Sequence, residues 1–166
     1  MFRNMRRAKQ ELTSDECWKI LKRGEYGVLA VQGDDGYPYT VPLNYVALDG
    51  KLYFHSAKAG HKIDALSHSD KVSFCVVDKS DLVPEKFTTH FRSVIVFGKM
   101  RVIEKRAEAE AALAALTETL VPSESDASMR AELDSCWLRD VVTMLVLEPE
   151  HVSGKQAIEL VGVPDA

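Results

Sequence analysis

Residues 37 to 55, which read YPYTVPLNYVALDGKLYFH, contain the clearest β-hairpin signal in the chain. Asp49-Gly50 is a typical type I′ turn pair, and it lies between two runs rich in strand-forming residues. We therefore expect one long strand from Tyr37 to Leu48 and a second from Lys51 to His55. Because Pro38 and Pro42 cannot donate ladder hydrogen bonds, the first strand should lie at a sheet edge or be bulged there.

Further strands and helices are predicted on both sides of this hairpin. The other predicted strands are residues 27–31, 72–77, 91–103 and 141–147, and the predicted helices are a segment after Thr13, then 62–67, 105–120 and about 129–136. Strand 72–77 is so apolar that we expect it to be buried on both faces. Thr13 and Glu16 have the spacing of a capping box. Six strands joined mainly by hairpins predict a mainly-β fold, a closed antiparallel barrel with peripheral helices.

The size and composition fit one soluble domain that spans residues 1–166, with a helical insert at about 105–136. The chain has 166 residues and a net charge of −4, and an acidic balance disfavours a nucleic-acid-binding protein. No apolar run approaches the ~20 residues of a membrane-spanning helix, and no apolar segment follows the basic N-terminus. Three widely separated cysteines suit a reducing compartment, so we expect a cytoplasmic protein without membrane contact.

The segment from His55 to Lys62, HSAKAGHK, is the strongest indication of a binding site. Gly60 admits the chain into a helix, and Lys58, His61 and Lys62 gather at the start of that helix. Cations are unfavourable there unless an anion offsets them, because the helix dipole is already positive at its N-terminus. Free backbone N–H groups, Ser56 and basic side chains together predict a phosphate site. A solvated loop with incidental lysines explains the same residues.

Other site chemistries find less support in the sequence. His55, His61 and His68 lack the spacing of a zinc site, so no metal is expected. There is no nucleophile-elbow motif around any serine, and Cys75 lies in an apolar context typical of packing. Strand alternation places Arg92 on one sheet face and Ser93 on the other, so either residue could reach a ligand. Without catalytic machinery of its own, the chain would need an organic cofactor, for which a phosphate site is the natural anchor.

Four motifs, in order, carry a resemblance to a known family. They are DGYPYTVPLNY at 35–45, YFHSAKAGHK at 53–62, RSVIVFG at 92–98 and SGK at 153–155. Together they resemble the FMN-binding split-barrel proteins, specifically the nitroimidazole-resistance (Nim) type of pyridoxamine 5′-phosphate oxidase-related proteins. The resemblance runs from about Met5 to Ala157. It implies a six-stranded antiparallel split β-barrel that forms a homodimer, with one FMN in each of two clefts between the subunits.

The resemblance also implies roles for particular residues. The residues that it places on the cofactor are Val41, Pro42, Leu43 and Asn44 beside the flavin ring, His55 and Ser56 near the ring and ribityl phosphate, His61 and Lys62 on the phosphate, and Ser93 on the flavin from a neighbouring strand. Trp137 and the segment around Lys155 are expected to reach the partner's cleft. His61 stands where the oxidases commonly have arginine, so its charge weakens above a pH of ~6.5.

By resemblance, the chain is expected to be an FMN-dependent oxidoreductase that reduces small electron-poor compounds such as nitroimidazoles or nitroaromatics. His55 is the expected proton donor or substrate-orienting residue. Pyridoxamine-phosphate oxidase activity is not expected, because the C-terminal segment with which the oxidases bind their substrate is not matched. The alternatives are a non-enzymatic flavin or haem carrier on the same fold, FAD in place of FMN, and a deazaflavin cosubstrate.

Overall fold

The computed structural model describes residues 2–124, 127, 128, 131, 134, 135 and 142–163. Its helices are α1 (Ser14–Arg23), α2 (His61–His68) and α3 (Arg106–Leu120). Its strands are β1 (Glu11–Leu12), β2 (Tyr26–Gln32), β3 (Pro38–Asn44), β4 (Val46–Leu48), β5 (Lys51–Ala57), β6 (Lys71–Val83), β7 (Thr88–Val102) and β8 (Val142–Gln156). Most of the predicted helix at 129–136, Val141 and Trp137 lie outside the described residues.

The described strands form one antiparallel sheet, which confirms the mainly-β, split-barrel class. Its hydrogen-bonded order is β3-β2-β6-β7-β8-β5-β4, with β1 paired to β8. The expectation of a closed barrel was wrong, because β3 and β4 end the order at opposite edges and do not pair with each other. These two edge strands are nevertheless consecutive in the chain, joined through Tyr45. The sheet therefore curls until its two edges meet at one residue.

Tyr45 explains why eight strands form where six were expected. The predicted strand 37–48 divides there into β3, which pairs with β2, and β4, which pairs with β5; the short β1 adds one more. The Tyr45 side chain is fully buried, its hydroxyl donates a 2.8 Å hydrogen bond to Leu21 O, and its ring packs against Phe74 at 5.0 Å. The edge position predicted for the proline-bearing segment is confirmed.

The turn prediction at Asp49-Gly50 is confirmed, since both residues have positive φ, 49° and 74°, as a type I′ turn requires. Glycine inside a strand favours a bulge or bend, and at Gly98 the β7–β8 register does shift, between Phe97 and Gly98. By contrast, the expectation that strand 72–77 is buried on both faces was wrong. Phe74 and Val76 are buried, whereas Val77 is 62% exposed, so the strand has an inner and an outer face.

β6 and β7 also extend beyond the barrel as a two-stranded arm, residues 79–91. The predicted strands 72–77 and 91–103 leave this segment outside the sheet, but the strands continue to Val83 and resume at Thr88 around a short 3₁₀ turn. Phe87 lies at the tip with a positive φ of 49° and is 98% exposed. Two-stranded ribbons are marginally stable alone in water. The arm would therefore be stabilised by packing against another protein surface.

The helices cover different parts of the sheet. α1 begins with the predicted capping box, which is confirmed: Thr13 Oγ1 accepts from Glu16 N (3.3 Å), and Glu16 Oε2 accepts from Thr13 N (2.7 Å). Its Cys17, Ile20 and Leu21 join the main core inside the curled sheet. α3 packs on the outer side of β4, β5 and β8 around a second core cluster. None of the described helices has the length and apolarity to cross a membrane.

Candidate functional site

A split in the barrel lies between β3 and the second half of β5. β4 pairs only with Lys51 to Tyr53, so residues 54–57 of β5 have no strand partner on that side in the described pairing. β3 likewise pairs on one side only, with β2. The chain leaves β5 at Ala57 and enters α2, whose first turn lies against the beginning of β3. Two strand edges and one helix start thus surround the split.

The start of α2 has the features of an anion site. Gly60 is its N-cap residue, no side chain caps the helix, and the first turn therefore has unbonded N–H groups. Gly60 has a φ of 120°, which favours glycine, and a Cβ there would meet nothing within 4 Å. Open space in front of uncapped N–H groups can admit a phosphate. Lys62 is half-buried beside this space, and His61 is exposed.

His61 links α2 to the beginning of β3. Its ring stacks on Tyr39, with the ring centroids 4.1 Å apart, and its Nε2 lies 3.4 Å from Asp34 Oδ2. Asp34 belongs to the 3₁₀ turn between β2 and β3 and its side chain is 88% exposed. Sequence reasoning missed Tyr39 and Asp34 as neighbours of His61, because a turn aspartate and a strand tyrosine give no signal of a contact across 22 or more residues. The stack orients the imidazole at the helix start.

His55 and Ser56 point to opposite faces of β5. His55 is exposed on the outer face, whereas Ser56 is buried and its Oγ donates a 2.8 Å hydrogen bond to Ala57 O. Removal of water by the surrounding protein, and then repulsion from Lys62, lower the pKa of His55 below its ordinary value. The imidazole is therefore neutral at pH 7. Lys62 acts on both the anion site and His55.

Residues 41 to 44 of β3 alternate across the sheet edge. Val41 and Leu43 pack against the core, whereas Pro42 and Asn44 are exposed. The Asn44 side-chain amide donates a 3.1 Å hydrogen bond to Glu25 O, so it fixes the end of β3. Among residues 41 to 44, the side chains of Pro42 and Asn44 are therefore accessible, and so is the backbone edge that does not pair with β2.

Ser93 lies apart from the split within one chain. It is on β7, separated from β3 by β2 and β6, and its register partners are Val77 and Lys155 on the outer face. Arg92 points the other way: its side chain is 9% exposed and its Nη1 lies 3.6 Å from Asp78 Oδ2. Of the two neighbouring residues, Ser93 therefore faces outward and Arg92 faces the interior.

A groove of about 760 Å³ lies elsewhere on the outer face. It is lined by Phe2, Pro38, Ser73, Phe97 and neighbouring residues of β2, β6 and β7. None of the residues predicted to bind the cofactor lines this groove.

The residues around the split fit a flavin phosphate. An uncapped helix start, an open Gly60, a half-buried Lys62 and the oriented His61 supply donors and positive charge to a phosphate group. The free edge of β3 runs from this point towards Asn44 and offers backbone groups to a flat heteroaromatic ring.

Comparisons with known proteins agree with this architecture. A sequence profile described as pyridoxamine 5′-phosphate oxidase matches residues 13–156. A comparison with proteins of curated function found no match.

Solved structures share the fold. A candidate 5-nitroimidazole antibiotic resistance protein of Bacteroides thetaiotaomicron is 22% identical with a TM-score of 0.70, covering 88% of this chain and 86% of that chain. An FAD-binding protein of Mesorhizobium loti is 25% identical with a TM-score of 0.60, covering 89% and 97%. An FAD and haem binding protein of Mycobacterium smegmatis is 23% identical with a TM-score of 0.72, covering 95% and 76%.

Proposed function

Since the chain belongs to the pyridoxamine 5′-phosphate oxidase family, we propose that it binds a flavin, FMN, in the split and is an oxidoreductase that reduces small electron-poor compounds such as nitroimidazoles. The observation that carries this proposal is the junction of an uncapped, basic α2 start with the free edge of β3. The similarity to a candidate nitroimidazole-resistance protein supports the substrate class. The flavin supplies the electron-transfer chemistry, and the chain supplies binding, orientation and exclusion of water.

Each group around the split has a task in this proposal. The N–H groups at the start of α2, His61 and Lys62 hold the phosphate, and the backbone of residues 41 to 44 holds the ring edge. The lowered pKa of His55 favours an orienting role at pH 7, because a neutral imidazole donates one hydrogen bond to a substrate oxygen. Protonated His55, formed as the pH falls, would deliver a proton.

The proposal includes a homodimer whose cofactor clefts lie between the subunits. In one chain, Ser93 and Lys155 lie on the outer face, away from the split at β3 and β5. A second protomer whose outer face covers the split would bring these groups to the flavin. Val28, Val77 and Ile95, which are exposed on the same outer face, support burial of that face against another chain.

The test begins with the absorption spectrum of the purified protein. We expect the two visible bands of a flavin, loss of those bands on adding a nicotinamide donor, and their recovery on adding a nitroimidazole. His61→Ala combined with Lys62→Ala should give folded protein without flavin. His68→Ala combined with Lys71→Ala removes the same two residue types from the last residue of α2 and the first residue of β6. It is the matched control and is expected to retain flavin.

Three results would contradict the proposal. Stoichiometric flavin in the His61→Ala/Lys62→Ala protein would remove the phosphate assignment. A sharp Soret band would favour the second candidate, a haem carrier, to which the similarity to an FAD and haem binding protein points. Flavin that does not respond to any donor or acceptor would indicate a non-enzymatic flavin carrier. Analysis of the released cofactor distinguishes FMN from FAD.

A further inference from the structure

β3 is a free sheet edge that contains two prolines. Pro38 and Pro42 are both exposed and lie four residues apart, opposite Gln32 and Val28 of β2. A proline has no N–H group, so its place in the strand determines which side of the strand loses a donor.

The hydrogen bonds at the two ends of β3 determine that side. Tyr45 N donates to Glu25 O at 3.2 Å, and Tyr37 O accepts from Gly33 N at 2.9 Å, so residues with odd numbers direct their backbone groups to β2. Backbone groups alternate in direction along a strand. Pro38, Thr40, Pro42 and Asn44 therefore direct theirs into the split.

The edge that faces the split is consequently rich in acceptors and poor in donors. It presents four carbonyl groups but only two N–H groups, those of Thr40 and Asn44. N–H donors stabilise negative charge that develops beside them, and carbonyl oxygens destabilise it. A flavin ring gains negative charge when two electrons and one proton are added, so this edge favours the oxidised form.

We propose that Pro42 is a positioning residue that keeps the reduction potential of the bound flavin low, by withholding a backbone donor from the ring. This inference rests on the proposed flavin site in the split. The start of α2 lies against the beginning of β3 through the His61–Tyr39 stack, so the phosphate end of the cofactor is near Pro38. Pro42 is about 13 Å further along the strand, at the position that the proposed site gives to the ring. A low potential makes the reduced cofactor a stronger donor to electron-poor acceptors.

Prolines at a sheet edge also prevent pairing with another strand. This structural role treats Pro38 and Pro42 alike, because both face the same side of the same edge. The redox role separates them, because only Pro42 lies beside the ring.

The experiment measures the reduction potential of the flavin in the holoprotein by slow enzymatic reduction beside a reference dye. Pro42→Ala restores an N–H group, and we expect the bound reduced form to gain about tenfold over the oxidised form, a rise of about 30 mV for a two-electron couple. Pro38→Ala, the matched control, should leave the potential unchanged. Thr40→Pro removes a remaining donor and should lower the potential.

The outcomes separate this inference from the proposed function. Equal potentials in Pro42→Ala and the unaltered holoprotein, or equal shifts in Pro38→Ala and Pro42→Ala, would overturn the inference and leave flavin binding intact. Loss of flavin from a folded Pro42→Ala protein would also overturn it. Absence of flavin from the unaltered protein would overturn the proposed function and this inference together.

Discussion

The pKa of His55 depends on the groups that surround it at the end of β5. His55 is exposed on the outer face of β5, yet neighbouring protein atoms and the charge of Lys62 both disfavour its protonated form. Removal of water is the larger cause of the lowered His55 pKa, and the same lysine that would hold a phosphate lowers this pKa further. Binding of an anion beside Lys62 offsets this repulsion, so occupancy of the phosphate site and protonation of His55 are linked.

The protonation of His55 can be followed directly by histidine NMR. We expect the His55 pKa to lie below the ordinary value of ~6.5 in the free protein. Lys62→Gln should raise the pKa only part of the way, because removal of water is the larger cause and remains. Lys71→Gln is the control that should not move it. A His55 pKa at or above the ordinary value would contradict this account.

Several residues were predictable because their signals are local. The Thr13–Glu16 capping box and the Asp49-Gly50 turn depend on neighbours within three residues, and both are confirmed. The strand break at Tyr45 could not be predicted, because it is caused by burial against Phe74 and by a hydrogen bond to Leu21, 24 residues away. The residues assigned to the cofactor follow from the resemblance and stay predictions.

At the scale of elements, α1 depends on its first turn. Glu16 accepts hydrogen bonds from both the hydroxyl and the backbone N–H of Thr13, and these bonds lower the pKa of Glu16. A carboxylate with a lowered pKa stabilises the fold above its unfolded pKa of ~4.5. That stabilisation is lost as the pH falls through the lower folded value. α1 also carries Leu21, whose carbonyl holds Tyr45.

Thr13→Ala should lower the free energy of unfolding by about 1 kcal/mol at pH 7, because the N-cap hydrogen bonds are lost. Urea denaturation measures this change. The loss should shrink as the pH falls through the lowered pKa of Glu16, because protonation of Glu16 then weakens the cap in the unaltered protein. Thr119→Ala, at an exposed position inside α3, is the control and should not destabilise the fold. A pH-independent loss would show that Glu16 takes no part.

Strand lengths were the least predictable elements. β8 was expected to end at Leu147 but continues to Gln156, because its second half pairs with β7 across Pro149 and the Gly98 bulge. β6 and β7 continue past the barrel as the arm, where residues 80–83 pair only with residues 88–91 of the other strand. In both cases the partner strand, rather than the residue types of the strand itself, keeps the backbone extended.

At the scale of the whole molecule, the outer face of β2, β6 and β7 has too little polar cover for an isolated surface. Val28, Cys75 and Ile95 lie in one cross-strand row, and Val77 at the base of the arm is 62% exposed. The opposite side of the chain differs, because α3 covers β4, β5 and β8 there. This asymmetry is the physical basis for the proposed dimer.

Ile95→Lys should weaken the dimer by placing a charge in this row, and sedimentation velocity should then detect monomer. Ile95 is 38% exposed, and Val121 at the end of α3 is 39% exposed, so Val121→Lys is a matched control that should remain dimeric. Flavin should be lost with the dimer if the clefts lie between subunits. A monomeric unaltered protein, or an unchanged dimer in Ile95→Lys, would contradict the proposal.

The meeting of both sheet edges at Tyr45 has a consequence for how this architecture diversifies. β3 and β4 diverge from one backbone corner without ladder bonds between them, so the angle at that corner sets the aperture of the opening. A change of a few degrees there widens or narrows the opening while every strand keeps its register. A substitution that alters this one bend would therefore change the bulk of the molecule that the opening admits, without breaking the strand pairing on either side.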